Sequence, residues 1–93
     1  MKELVWTELA LKTYLEIVDY LFEHWTNKEI DAFQGKTNTL LRNLSEFNFL
    51  CPASKLLPYR KCFVNYHTSL IYAQENDKIA LITFLHNKSA HNY

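Results

Sequence analysis

The chain has 93 residues and a mass of 11.1 kDa, and its 10 lysines and arginines balance 10 aspartates and glutamates. Hydrophobic residues make up 48% of it, which is typical of one folded domain and excludes an intrinsically disordered chain. No apolar run reaches the ~18 residues of a membrane span, and acidic residues interrupt the N-terminus where a signal peptide would be apolar. Two cysteines are too few for a disulfide scaffold, so we expect a reduced, cytoplasmic, single domain over residues 1–93.

Charge is distributed unevenly along the chain. Residues 1–31 carry seven acidic side chains and three lysines, whereas residues 32–93 carry three acidic and seven basic side chains. If the two parts fold into separate layers, the molecule has an acidic side and a basic side. The alternative is that the acidic residues only solvate the outer face of a helix.

The first part of the chain predicts a strand followed by a helix. Residues Glu3–Thr7 alternate weakly, as a short strand does. From Glu8 to Trp25 apolar residues recur every three or four positions, which indicates an amphipathic helix with Thr7 as its N-cap.

A second helix is predicted to follow with almost no linker. Thr26 and Glu29 have the spacing of a capping box, so this helix begins at about Asn27. Gly35 lies inside it and predicts a kink. Two helices joined so closely form an antiparallel hairpin.

The second half of the chain predicts a loop and three strands. Residues 47–59 contain both prolines and no hydrophobic period, which indicates a loop. The period then changes to two, and the last apolar run is hydrophobic on both faces, as in a central strand. The predicted strands are Arg60–Tyr66, Ser69–Gln74 and Lys78–Leu85, with turns at 67–68 and 75–77.

The predicted order is β-α-α-β-β-β. It favours an α+β fold in which the helical hairpin packs on one face of a small antiparallel sheet. The first strand has to join this sheet, because a lone strand cannot satisfy its backbone groups. The other face of the sheet is expected to remain open.

This order and four segments resemble the RelE/ParE superfamily of toxins from bacterial type II toxin–antitoxin modules. The similarity covers nearly the whole chain, and the segments are Val5–Ala10, Tyr14–Leu21, Arg60–Val64 with His67–Tyr72, and Ile79–Lys88. The resemblance implies a growth-inhibiting toxin of the kind that stabilises plasmids. It also implies a cognate antitoxin as partner, whose C-terminal segment wraps the toxin.

The superfamily contains two activities. RelE-like members cut mRNA in the ribosomal A site, whereas ParE-like members bind and poison DNA gyrase. RelE-like enzymes place an arginine before the leucine of the third strand's apolar run, and this chain has Ser69 before Leu70. Because the chain is also neutral overall, we expect a gyrase-type toxin without enzymatic activity ahead of a ribosome-dependent mRNA endoribonuclease. A third alternative is an inactive member that is retained for partner binding.

Strand order places the candidate site at one end of the sheet. If the last two strands pair as antiparallel neighbours, the end of one meets the start of the other. The expected target-binding residues are His67, Ser69, Tyr72, His86, Asn87 and Lys88. In a nuclease, His86 and Lys88 would supply the acid and the cation. No metal or cofactor is expected.

Two basic residues are expected to lie apart from this cluster. Arg60 and Lys61 fall at the opposite end of the same sheet, and they are the next candidates for contacting a target. Cys62, near His67 in sequence, is predicted to be a buried, inert thiol rather than half of a thiol–imidazole pair. Each of the histidines has a plainer alternative as a solvated surface residue.

Overall fold

The computed structural model describes residues 2–47, 50–56 and 58–87. The order β-α-α-β-β-β and the α+β class are confirmed. None of the helices in the described ranges is long and apolar enough to cross a membrane. The elements are β1 (Glu3–Trp6), α1 (Glu8–His24), α2 (Asn27–Glu46), β2 (Arg60–Phe63), β3 (Thr68–Glu75) and β4 (Lys78–His86).

Both helices begin at the predicted caps. The Thr7 hydroxyl accepts a hydrogen bond from the Ala10 N–H at 3.1 Å and donates one to the Leu81 carbonyl at 2.7 Å, which ties the start of α1 to β4. At α2, the Glu29 carboxylate accepts from the Thr26 N–H at 3.0 Å.

The predicted weak stretch around Gly35 does not interrupt α2, which continues to Glu46. Phe33 and Thr37 flank the glycine and are buried, so their packing holds the helix on both sides of it. The Thr37 hydroxyl also donates to the Phe33 carbonyl at 2.9 Å. Burial of these neighbours outweighs the ~1 kcal/mol that glycine costs a helix.

The sheet has the strand order β1-β4-β3-β2, so β4 is central as predicted. The pairs β2–β3 and β3–β4 are antiparallel, whereas β1 runs parallel to β4, which makes the sheet mixed rather than wholly antiparallel. Two helices and two strands separate β1 from β4 along the chain, so the chain has room for the crossover that a parallel pair requires.

The main core lies between the sheet and the helical hairpin. Leu70, Tyr72 and Leu81 are fully buried there and pack in one cluster with Phe33 and Leu44 of α2. Burial of these side chains is the main source of stability that holds the hairpin on the sheet.

The opposite face of the sheet is not open, contrary to prediction. Ile71, Ala73 and Ala80 are all buried there, and Ile71 has no exposed surface. Ala73 pairs with Ala80 across the two inner strands, and Ile71 lies in register between Lys61 and Thr83. The half-buried Lys61 side chain lies beside Ile71, and lysine stems cover apolar surface while their charge stays in water.

The cysteines form a disulfide, which corrects the prediction of an inert free thiol at Cys62. The Cα atoms of Cys51 and Cys62 are 5.3 Å apart, well inside the range for a disulfide, and the two side chains are bonded. The 50–56 segment also accepts a backbone hydrogen bond at Pro52 from the Lys61 N–H, at 3.2 Å. The segment between the two cysteines has no hydrophobic period, so the sequence does not predict that it folds back onto β2.

Candidate functional site

The start of β3 and the end of β4 meet at one end of the sheet, where Thr68 pairs with His86. This register brings His67 and His86 together, each with an exposed side chain. Their rings are nearly parallel, at an interplanar angle of 28°, and their centroids are 6.4 Å apart. We call these two residues the histidine pair.

The turn that carries His67 is held by hydrogen bonds from two asparagines. The Asn65 Oδ1 atom accepts from the His67 N–H at 2.8 Å and from the Thr68 N–H at 2.9 Å. The Asn87 N–H donates to the His67 carbonyl at 2.8 Å, so the residue after β4 binds the turn directly. We call residues 65–68 the 65–68 turn.

Two of the predicted target-binding residues are buried instead. Tyr72 has no exposed surface, and its hydroxyl accepts from the Cys51 N–H at 3.5 Å. Burial raises the pKa of the Tyr72 hydroxyl, so it remains neutral at physiological pH. Ser69 is also fully buried, with its hydroxyl bonded to the Asn87 side chain. Neither residue can touch a target directly. Tyr72 lies on the face of β3 that packs in the core, and the Asn87 side chain covers Ser69.

Arg60 and Lys61 lie away from the histidine pair, as expected. They pair with Tyr72 and Ile71, three to four residues along β3 from Thr68. At about 3.3 Å per residue this places them roughly 10–13 Å from the turn. The Arg60 guanidinium donates to the Cys51 carbonyl, so it supports the disulfide-bonded segment. Lys88 lies outside the described residues.

A groove that sequence reasoning missed adjoins the histidine pair. It has a volume of about 730 Å³ and lies between α1, α2 and the 65–68 turn. We call it the hairpin groove. Ile17, Phe33 and Phe84 supply apolar lining, and Tyr20 and Trp25 at its rim are each 54% exposed. Tyr20 lies outside the apolar spacing of α1, and a large aromatic residue in such a position is the sequence signal that could have predicted an exposed apolar surface here.

The charges around the hairpin groove are mostly negative. Glu16 of α1 and Glu29 of α2 line it, together with a single lysine, Lys36. At its far end the lining is His67 and His86, so the groove leads to the histidine pair. Within residues 2–47, 50–56 and 58–87, no group of three or more histidine, cysteine or acidic side chains is placed to hold a metal ion.

Comparison with known proteins gives a match in structure and none in sequence. No family model and no curated protein matches the chain. A copper-bound mutant of a toxin from Helicobacter pylori superimposes with a TM-score of 0.68 at 18% identity, covering 94% of this chain and 96% of the other. The solution structure of a conserved hypothetical protein from Helicobacter pylori gives 0.60 at 16% identity, covering 96% and 98%.

This likeness extends over almost the whole of each chain, and it establishes the fold. The architecture implied by the resemblance to RelE/ParE toxins is therefore confirmed. Because one fold supports several activities, the chemistry has to be argued from the site.

Proposed function

We propose that this chain is the toxin of a toxin–antitoxin module and that its histidine pair cleaves RNA. The fold is that of a Helicobacter pylori toxin over nearly its full length. The observation that carries the chemistry is the meeting of two exposed imidazoles, 6.4 Å apart, at one end of the sheet. Two imidazoles facing each other across such a gap can act on one bound group from two sides.

The reaction that suits this pair is attack by the RNA's own 2′-hydroxyl. One neutral imidazole removes the 2′-hydroxyl proton as the 2′-oxygen bonds to phosphorus. The other, protonated, imidazole gives its proton to the departing 5′-oxygen. The P–O5′ bond breaks, and the products are a 2′,3′-cyclic phosphate and a 5′-hydroxyl. The reaction is a transesterification at phosphorus that two proton transfers assist, and no oxidation state changes, so no redox partner is required.

The neutral charge of the chain, which argues against a nuclease that binds free RNA, is compatible with a nuclease whose substrate is already held in place. Proteins that bind free RNA tightly neutralise many phosphates with lysine and arginine, and this chain has no net positive charge. An mRNA bound to the ribosome is positioned by the ribosome itself, so the toxin has only to dock and supply the acid and base. We therefore propose ribosome-bound mRNA as the substrate.

The test is cleavage of mRNA on programmed ribosomes by purified protein, with cut sites mapped by primer extension. We expect discrete cuts from the wild type and a loss of at least ~100-fold in rate for His67→Asn and for His86→Asn, because each removes one proton-transfer group. His24→Asn is the matched control, since His24 is exposed on α1 and does not line the groove. Full activity of either pair variant would refute the assignment.

The hairpin groove is the proposed docking site of the antitoxin. Its apolar lining and the carboxylates of Glu16 and Glu29 suit an amphipathic segment with apolar anchors and a basic flank. A segment lying there would also reach His67 and His86 and exclude RNA from them.

Groove variants of the toxin test this docking. We expect Trp25→Ala and Glu16→Lys each to weaken antitoxin binding by tenfold or more in calorimetry. Phe22→Ala is the control, because Phe22 is 64% exposed on α1 but does not line the groove. Equal affinity in all three variants would place the antitoxin elsewhere.

Poisoning of DNA gyrase is the second candidate function. It is favoured by the serine at position 69 and by the lack of a described arginine beside the histidine pair to stabilise a phosphoryl transition state. Inhibition of gyrase supercoiling without RNA cleavage would establish it. Failure of both assays with intact antitoxin binding would identify an inactive member that is retained for partner binding.

A further inference from the structure

The two imidazoles of the histidine pair belong to different elements, so something has to fix the distance between them. His86 is the last residue of β4, whereas His67 lies in the 65–68 turn, between the end of β2 at Phe63 and the start of β3 at Thr68. Thr68 is the residue of this turn that pairs in the β3–β4 ladder, with His86. A two-sided acid–base site needs both rings held to within about 0.5 Å of their working positions.

We infer that Asn87 is a positioning residue that locks the 65–68 turn against the end of β4 and so sets the separation of the histidine pair. The inference rests on the proposed function of that pair. Asn87 follows His86 directly, and its backbone N–H donates to the His67 carbonyl at 2.8 Å. Asn87 is therefore joined covalently to one histidine of the pair and by a hydrogen bond to the backbone of the other.

The Asn87 side chain adds contacts to the same turn. Its Nδ2 atom donates to the Tyr66 carbonyl at 2.9 Å and to the Asn65 carbonyl at 3.4 Å. Its Oδ1 atom accepts from the hydroxyl of Ser69, which is fully buried. Both ends of the amide are thus engaged, and the buried serine fixes its orientation.

Only an amide of this length provides these contacts. An aspartate at position 87 would place a carboxylate against the carbonyl oxygens of Tyr66 and Asn65, with no proton to donate. An alanine would leave only the backbone bond to His67. Asn65 has a different task, because its Oδ1 atom bonds the His67 and Thr68 N–H groups and shapes the turn from within.

Asn87→Ala tests the inference, with Asn38→Ala on the exposed face of α2 as control. We expect a crystal structure of the Asn87 variant to show the imidazole centroids displaced by roughly 1 Å or more from their wild-type separation. The maximal cleavage rate on ribosomes should fall roughly 10–100-fold, while KM changes little, because misplaced groups slow the chemistry and not the docking. Ser69→Ala, which removes one bond only, should give a smaller effect in the same direction.

The outcomes separate this inference from the proposed function. Displaced rings in the variant, with no RNA cleavage by the wild type, would support positioning by Asn87 and refute the nuclease. An unchanged ring separation in Asn87→Ala would overturn the inference, whatever the activity. If Asn87→Ala does not fold, Ser69→Ala and Asn87→Asp decide the matter by the same two measurements.

Discussion

Both residues of the histidine pair lie outside the core. One is in the turn between β2 and β3, and the other is the last residue of β4. His67 and His86 are both exposed, and the apolar run of β4 ends before His86. Side chains in such positions contribute little burial. Their roles in chemistry and in stability can therefore be separated by experiment.

The double variant His67→Asn/His86→Asn should fold as stably as the wild type. We expect its free energy of unfolding, from urea denaturation, to lie within about 0.5 kcal/mol of the wild-type value while RNA cleavage is lost. A loss of several kcal/mol would show that the pair is a structural contact, and the loss of cleavage would then have a simpler cause.

Tyr72 represents the opposite case, a residue whose contribution is structural. Tyr72→Phe removes a buried hydroxyl that accepts from the Cys51 N–H, and we expect a loss of about 1 kcal/mol at pH 7. Burial raises the Tyr72 pKa above its ordinary value of 10.0, so the native state favours the neutral phenol. The contribution of the Tyr72 hydroxyl to the stability of the fold is therefore complete below pH 10.0 and declines as the pH rises above that value.

Urea denaturation of wild type and Tyr72→Phe across this pH range measures the effect. The difference between the two proteins should shrink as the pH rises above 10.0. A difference that grows with pH would mean that the native state binds the phenolate, against the burial described here.

Contacts at the ends of the elements add to the stability that their packed faces provide. The start of α2 depends on the Thr26–Glu29 capping box, and hydrogen bonding to Thr26 lowers the pKa of Glu29 from its ordinary value of 4.5. A carboxyl with a lowered native pKa stabilises the fold above its unfolded pKa. That stabilisation is lost as the pH falls through the native value.

Glu29→Ala should accordingly destabilise the protein at neutral pH and have a smaller effect in acid. We expect a lower urea midpoint than the wild type at pH 7, and a midpoint difference that shrinks as the pH falls through the native pKa of Glu29. Asp31→Ala, which removes an exposed acid on α2, controls for the change in net charge. A variant midpoint that stays lower by the same amount at low pH would show that the ionised Glu29 carboxylate is not the source of the difference, since alanine is the better helix former.

The disulfide holds the segment that joins α2 to β2. Linking two residues that are 11 positions apart restricts the unfolded chain, and the entropic estimate for such a loop is about 3 kcal/mol. Reduction should lower the free energy of unfolding by up to that amount. The double variant Cys51→Ala/Cys62→Ala should not respond to reductant. Equal stability of the oxidised and reduced wild type would show that the loop is held by its other contacts.

At the scale of the whole molecule, local signals in the sequence predicted most of the fold. Hydrophobic periodicity located both helices, and the Thr26 and Glu29 spacing located the start of α2. The antiparallel register of β3 and β4 was sufficient to bring His67 and His86 together. These features depend on short-range patterns or on one pairing rule.

What the sequence did not predict depends on contacts between distant segments. The parallel pairing of β1 with β4, the Cys51–Cys62 bond and the hairpin groove each join parts of the chain that no periodicity connects. Tyr72 could not be separated from the site residues, because alternation assigns a side chain to a face only after the buried face is known.

The hairpin groove also shapes how the whole molecule meets its partners. It joins both helices to the histidine pair, and its two glutamates repel phosphate while attracting a basic peptide. The antitoxin and the RNA are thus expected to approach the same end of the sheet by different routes, and binding of one should exclude the other.

The chemistry of the cut RNA ends tests the central claim most directly. RNA cleaved on ribosomes by the wild-type protein should carry a 2′,3′-cyclic phosphate upstream and a 5′-hydroxyl downstream, since the 2′-oxygen is the nucleophile. The downstream 5′-hydroxyl can be identified by labelling with a kinase without prior phosphatase treatment, and the upstream cyclic phosphate by its resistance to phosphatase. His67→Asn and His86→Asn should yield no such ends, and His24→Asn should yield them normally. A 3′-hydroxyl with a 5′-phosphate, or cyclic ends that persist in both pair variants, would contradict the account.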